Sequence, residues 1–124
     1  MMEGQERFSR QILAFGEEGQ RHLAALEIGI VGLGGIGSIV ALMLAYLGVQ
    51  KFVLVDDDIV EEINLSRLIG SRSEDVKLKI SKIEVAKRVI NSINPKAAVK
   101  SVFNNLRSEE AMDCLCQESE IIFG

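Results

Sequence analysis

Between Glu27 and Lys51 the chain carries no charged side chain, and Gly29, Gly32, Gly34, Gly35 and Gly37 crowd the first half of that run. No other feature narrows the possible folds so much. The run is long enough to cross a bilayer as a helix. A glycine in a helix interior costs about 1 kcal/mol, however, so five close together argue against a continuous membrane helix. The run divides better into two pieces. "EIGIVG" reads as a short buried strand, and "IGSIVALMLAYLG" as a buried helix with Gly48 just past its end. A strand, a glycine-rich turn and a helix then follow in that order.

The rest of the sequence alternates in the same way. "ERFSRQILAF" and "EEGQRHLAAL" predict two helices ahead of the first strand, and "KFVLVD" predicts a second strand ending on an acid. Residues 57 to 79 read as a long irregular segment with about one helical turn. From Ile80 to Ile93 a helix is predicted, because Ile83, Ala86, Ile90 and Ile93 fall on one stripe and Asn94-Pro95 stops it. "AAVKSVF" is a third strand, "SEEAMDCLCQ" a helix opening on a serine cap, and "EIIFG" a fourth strand. Strand–helix alternation implies a parallel sheet with right-handed crossovers. The expected fold is therefore α/β, a Rossmann-like doubly wound sheet in the order 3-2-1-4. It forms one domain over 1–124, with N-terminal helices in 1–25 and a nucleotide-binding half in 26–124. Because a parallel strand feeds its ligand loop from its carboxyl end and no loop follows the fourth strand, truncation after that strand is expected.

Composition removes several functional classes. With 124 residues, 48% of them hydrophobic, the chain has material for a real core; folded chains of this size bury roughly two-thirds of their unfolded surface. The net charge is −4, with acids and bases interspersed and no basic face for nucleic acid. The polar start "MMEGQERFSR" is unlike a secretory signal, so a cytoplasmic, membrane-free protein is expected. Cys114 and Cys116 form a C-x-C, which is no disulfide framework and at most half a zinc site. They read as ordinary thiols on a helix, and His22, the one histidine, reads as a helix-surface residue. No metal-ligand set is expected within the chain.

Gly32, Gly34 and Gly37 satisfy G-x-G-x-x-G between the first strand and its helix. In that setting the first glycine permits a tight turn, the second lets backbone approach a phosphate, and the third lets the helix pack close to the strand. Amides at the helix start then face an anion. Asp56 closes the second strand, where a carboxylate can accept both hydroxyls of a ribose. On these features NAD and ATP fit equally well. The following stretch, "DDDIVEEINLSRL", tips the balance. An Asn64 amide and an Arg67 guanidinium beside a nucleotide suit a triphosphate, because arginine matches phosphate oxygens bidentately. Lys82, opening a later helix, adds a point charge.

"RFSRQI", "GLGGIGS", "LVDDDIVEEINLSRL" and "KIEVAKRVINSINP", in that order, resemble the adenylating domain of the ThiF/MoeB family, the superfamily that includes ubiquitin-activating enzymes. The resemblance runs from about Arg7 to Gly124 and covers the first half of the family's domain. It implies that ATP and Mg²⁺ are bound, and that the C-terminal glycine of a ubiquitin-like or sulfur-carrier protein ending in Gly-Gly attacks the α-phosphate. An acyl adenylate forms and pyrophosphate leaves. By the same resemblance Gly32, Gly34, Gly35 and Gly37 line the nucleotide, Asp56 holds the ribose, and Asp58 lies near the adenosine side. Asn64, Arg67 and Lys82 match phosphate-binding residues, the last two catalytic. Arg10 matches a catalytic arginine that reaches into the partner's active site of a homodimer.

Some positions depart from the family pattern. Leu68 stands where the family has a glutamine. After Asp75-Val76 the expected glycine is missing and position 80 is Ile, so Lys82 fits only with a two-residue insertion, and Lys79 is the alternative. The family's magnesium aspartate, zinc cysteines and catalytic cysteine all lie beyond position 124, so this chain alone is expected not to adenylate. Two other functions compete: an NAD-dependent oxidoreductase domain, resting on the glycine turn and Asp56, and a non-catalytic dimerisation module.

Overall fold

The computed structural model describes residues 6–124. Residues 1–5, where the expected N-terminal helical region begins, lie outside the described residues. Ser9–Ala25 forms α1, Glu27–Val31 β1, Gly35–Leu47 α2 and Lys51–Asp56 β2. A 3₁₀ helix covers Glu62–Ser66, followed by α3 (Ser73–Lys77), α4 (Lys82–Ile93), β3 (Ala98–Phe103), α5 (Glu109–Glu118) and β4 (Ile121–Phe123). All four strands are parallel, in the order β3-β2-β1-β4. The sheet is the doubly wound one that the alternation predicts.

Alternate residues of each strand point to opposite faces, and each face has its own core. Ile28, Ile30, Phe52 and Leu54 meet Ala41 and Ala45 of α2 and Ile83, Ala86, Ile90 and Ile93 of α4. On the other face Val53, Val55 and Val102 meet Ala111, Cys114 and Leu115 of α5. The four-residue stripe expected on α4 is thus buried in full. Hydrophobic burial at about 25 cal/mol per Å² makes these two layers the main stabilising term. No helix among the described residues is long and apolar enough to cross a membrane.

The ends of α2 follow from its glycines. Gly48 adopts φ 103 and donates to Ala45 O, while Val49 N–H donates to Leu44 O at 3.1 Å, closing the helix with a left-handed cap. Around this cap sit Phe8, just before α1, and Gln20 of α1, and Gln11 and Gln20 both donate to Leu47 O, at 2.8 and 3.0 Å. The two expected N-terminal helices are both present within Ser9–Ala25, separated by a kink at Gly16, where φ 79 and ψ 168 are non-helical. His22 is exposed on it.

The segment after β2 is more ordered than predicted, with two helical pieces rather than one turn. The start of α4 also needs correction, from Ile80 to Lys82. Ile80 and Ser81 are held extended against the end of β2's loop: Ile80 O accepts Val60 N–H at 2.8 Å, Ser81 pairs with Ile59, and the Ser81 side chain then caps the helix at Glu84 N–H. Arg88 of α4 secures α3 by a bidentate pair with the buried Asp75, at 2.8 and 2.9 Å, and donates to Gly70 O. Hydrogen bonding from Arg88 is the main cause that holds the Asp75 carboxyl below its ordinary range, against the opposing effect of burial.

Candidate nucleotide site

Gly32 leaves β1 with φ 82, a conformation glycine adopts freely. Gly34 caps α2 in an extended conformation. The third glycine of the motif lies against the first: a Cβ on Gly37 would stand 1.9 Å from Gly32 O, so only hydrogen fits there. A Cβ on Gly34 would meet nothing within 4 Å. One glycine therefore serves packing and the other faces open space. That space is a cavity of about 460 Å³, lined by the turn together with Ile36, Val40 and Phe123. The N–H groups of the first helical turn have no intrahelical acceptor and suit an anion.

Asp56 is buried, and both its carboxylate oxygens are engaged with backbone. Oδ2 accepts Leu33 N–H at 2.7 Å and Oδ1 accepts Asp58 N–H at 2.7 Å. The acid therefore builds the turn, an internal role that the sequence did not disclose. Each oxygen retains a second lone pair, and Asp56 lines a smaller cavity of about 230 Å³ that adjoins the first at Val31 and Gly32. Asn104, Asn105 and Leu106, following β3, close this cavity. Sequence reasoning missed them, although ligand crevices lie outside the carboxyl ends of parallel strands and β3 ends there.

Lys82 reaches the site because α4 starts against Asp58. Its N–H donates to Asp58 O at 3.0 Å and its Nζ to Asp58 Oδ2 at 3.1 Å, with the lysine side chain 13% exposed. Lys79, by contrast, is exposed and holds φ 54 in the turn after α3. The Asp56, Asp57 and Asp58 carboxylates come within 4.8 Å of one another. The Lys82 ammonium offsets the charge of Asp58, and the amides leave Asp56 one lone pair on each oxygen, so the trio is not a ready ligand set for a magnesium ion.

Arg67 lies over the amino end of α2. A Cβ on Gly35 would stand 3.5 Å from Arg67 Cδ, and Arg67 Nη1 donates to Ile63 O at 3.2 Å. Asn64 is buried within the 3₁₀ helix, with Oδ1 accepting Glu61 N–H at 2.8 Å; its Nδ2 makes no hydrogen bond among the described residues. The structure thus gathers the glycine turn, Asp56, Asp58, Lys82 and Arg67 at one end of the sheet. Asn64, Arg67 and Lys82 line neither of the two cavities. Arg10 does not join them: it is exposed on α1, next to Gln11 at the opposite end of α2. The two cysteines part company, Cys114 buried and Cys116 exposed, so they do not form half a metal site. Leu68, the departure from the family pattern, is buried with Val60 and Val85.

A sequence model described as the ThiF family matches residues 8–124. The chain belongs to the ThiF family. It is 34% identical over 118 residues to the sulfur carrier protein ThiS adenylyltransferase of Escherichia coli, covering 94% of this chain and 46% of that protein. With the SAMP-activating enzyme E1 of Haloferax volcanii it shares 37% identity over 99 residues, 78% of this chain and 36% of the relative. Among solved structures it resembles the E. coli tRNA N6-threonylcarbamoyladenosine dehydratase TcdA in complex with AMP, with a TM-score of 0.85 at 28% identity, over 95% of this chain and 47% of that one. The chain therefore spans less than half the length of these ThiF-family relatives.

Proposed function

We propose that the protein takes part in the ATP-dependent adenylation of the C-terminal glycine of a ubiquitin-like or sulfur-carrier protein, and that residues 1–124 supply the nucleotide-binding half of that activity. The observation that carries this reading is Arg67 laid across Gly35 at the amino end of α2. Arginine matches phosphate oxygens bidentately, and a triphosphate presents more of them, and more charge, than the diphosphate of a dinucleotide. In the proposed site Gly32, Gly34, Gly35 and Gly37 line the nucleotide, and Gly34 faces open space as a phosphate contact requires. The remaining lone pairs of Asp56 accept the ribose hydroxyls. Asp58 stands on the adenosine side and holds Lys82, which with Asn64 and Arg67 faces the phosphates. Its pairing beside Asp56 favours Lys82 over Lys79. The named adenylyltransferase relative and the AMP-bound neighbour support the same chemistry.

In that reaction the carrier's carboxylate attacks the α-phosphorus, the bond to the bridging oxygen breaks, and pyrophosphate departs. The chain's own groups contribute position and charge stabilisation rather than covalent chemistry. Magnesium would assist the departing phosphates when bound, held by groups other than the Asp56–Asp58 trio. A homodimer completes the site, with Arg10 acting on the partner's nucleotide. Two observations support this. Arg10 lies at the wrong end of α2 to serve its own turn, and the outer face of α2, with Ile36, Ile39, Met43 and Tyr46, is exposed and uncharged. Thermal-shift titration tests the reading: ATP and AMP raise the melting temperature, while a rise with NAD and none with ATP would overturn it.

A further inference from the structure

The segment that carries Arg67 is fastened mainly to α4 and the residues just before it, through Val60 and Ile80, Asp75 and Arg88, and Gly70 and Arg88. A single hydrogen bond among the described residues ties it to α2, the helix whose amino end receives the phosphates in the proposed site. Ile69 N–H donates to Ser38 Oγ at 3.3 Å. Ser38 is 4% exposed, and its hydroxyl donates in turn to Gly35 O at 3.2 Å. Gly35 is the residue over which the Arg67 stem lies. Between the two attachment points, Leu68 is buried. Ser38 thus links, through one oxygen, the residue beneath the arginine and the residue two positions after it.

We propose that Ser38 is a positioning residue for Arg67, holding the guanidinium at the amino end of α2 where the outer phosphates of ATP bind. This rests on the proposed role of Arg67. An arginine side chain carries much rotational freedom, and its reach toward a phosphate depends on where its backbone is pinned. Without the hydroxyl the half-buried Ile69 N–H loses its partner, and no other hydrogen bond among the described residues ties residues 67–69 to α2. Alanine at position 38 keeps the helix, since it is the best helix former.

Calorimetric titration with ATP and, separately, AMP separates this role from a merely structural one. Ser38→Ala is expected to weaken ATP binding roughly five- to tenfold, the effect of one hydrogen bond, and to change AMP binding by less than about twofold, since AMP lacks the outer phosphates. In an Arg67→Ala background Ser38→Ala is expected to have no further effect on ATP. Ser38→Thr, which keeps the hydroxyl, restores ATP binding. An equal loss for ATP and AMP, or a loss that persists without Arg67, would show a general structural role and overturn the proposal. Unchanged ATP binding in Ser38→Ala, with Arg67→Ala impaired, would overturn it while leaving the reading of Arg67 intact. Unchanged ATP binding in Arg67→Ala would overturn both.

Discussion

The two glycines Gly34 and Gly37 stand three residues apart, and alanine at each should have opposite consequences. At Gly37 a new Cβ would lie 1.9 Å from Gly32 O. Ordinary carbon–oxygen contacts begin near 3.3 Å, so α2 and the end of β1 must part by about 1.4 Å. The atom met is backbone, which cannot rotate aside, and overpacking of this kind costs about 3 kcal/mol at the upper end of its usual range. Roughly 1 kcal/mol returns from the better helix propensity of alanine. A net loss of about 2 kcal/mol lowers the melting temperature by roughly 8 °C in a domain of this size. At Gly34 nothing lies within 4 Å and φ is −76, open to any residue. Alanine there costs about 0.5 kcal/mol as a poorer cap, yet its methyl projects into the space assigned to phosphate. Gly34→Ala is thus expected to melt within about 3 °C of the parent and to bind ATP at least about tenfold more weakly. Scanning calorimetry and ATP titration of both variants decide the matter. A Gly37→Ala protein as stable as the parent, or a Gly34→Ala protein as damaged as Gly37→Ala, would refute the assignment of one glycine to packing and the other to ligand.

Three further outcomes follow from the packing around the site. Asp75 has its carboxyl held below the usual 3.8 by Arg88, so the pair's contribution is complete above that value and is lost as pH falls through the folded-state one. Asp75→Asn should therefore cost about 2 kcal/mol at neutral pH, and urea titrations should show the gap to the parent closing below about pH 4. Lys79→Gly removes a left-handed lysine and should raise stability by about 0.5 kcal/mol; ATP affinity should not change, and a loss would restore Lys79 as the phosphate ligand. Cys116 is exposed, whereas burial pushes the Cys114 thiol up. A thiol reagent should therefore modify one cysteine quickly and the second only on unfolding, and two fast thiols would contradict the packing of α5.

Local chemistry made much of this legible in the sequence. "KFVLVD" forms β2 at the residues expected, Gly48 ends α2 in the left-handed cap that glycine signals, and Ser108 caps α5. The third glycine of the turn does what its spacing implied. The features that escaped sequence reasoning depend on partners far along the chain. Asp56 supports the turn by accepting an N–H from Leu33, and no periodicity reveals which lone pairs such a contact occupies. The start of α4 moved because Ile80 and Ser81 pair with the loop after β2, an interaction invisible to a helical stripe. The Asn64 oxygen is engaged by Glu61, a local cap that a reading for phosphate ligands passed over. Asn104, Asn105 and Leu106 join the site only through the order of strands in the sheet.

In the proposed site the glycine turn holds ATP and Arg67 distinguishes ATP from NAD. Calorimetric titration of the chain with Mg·ATP and with NAD, repeated on Asp56→Ala and Arg67→Ala, tests this most directly. ATP should bind the parent and bind both variants more weakly, and NAD should not bind. NAD binding that requires Asp56 and ignores Arg67 would contradict the account and leave a dehydrogenase-type nucleotide domain in its place.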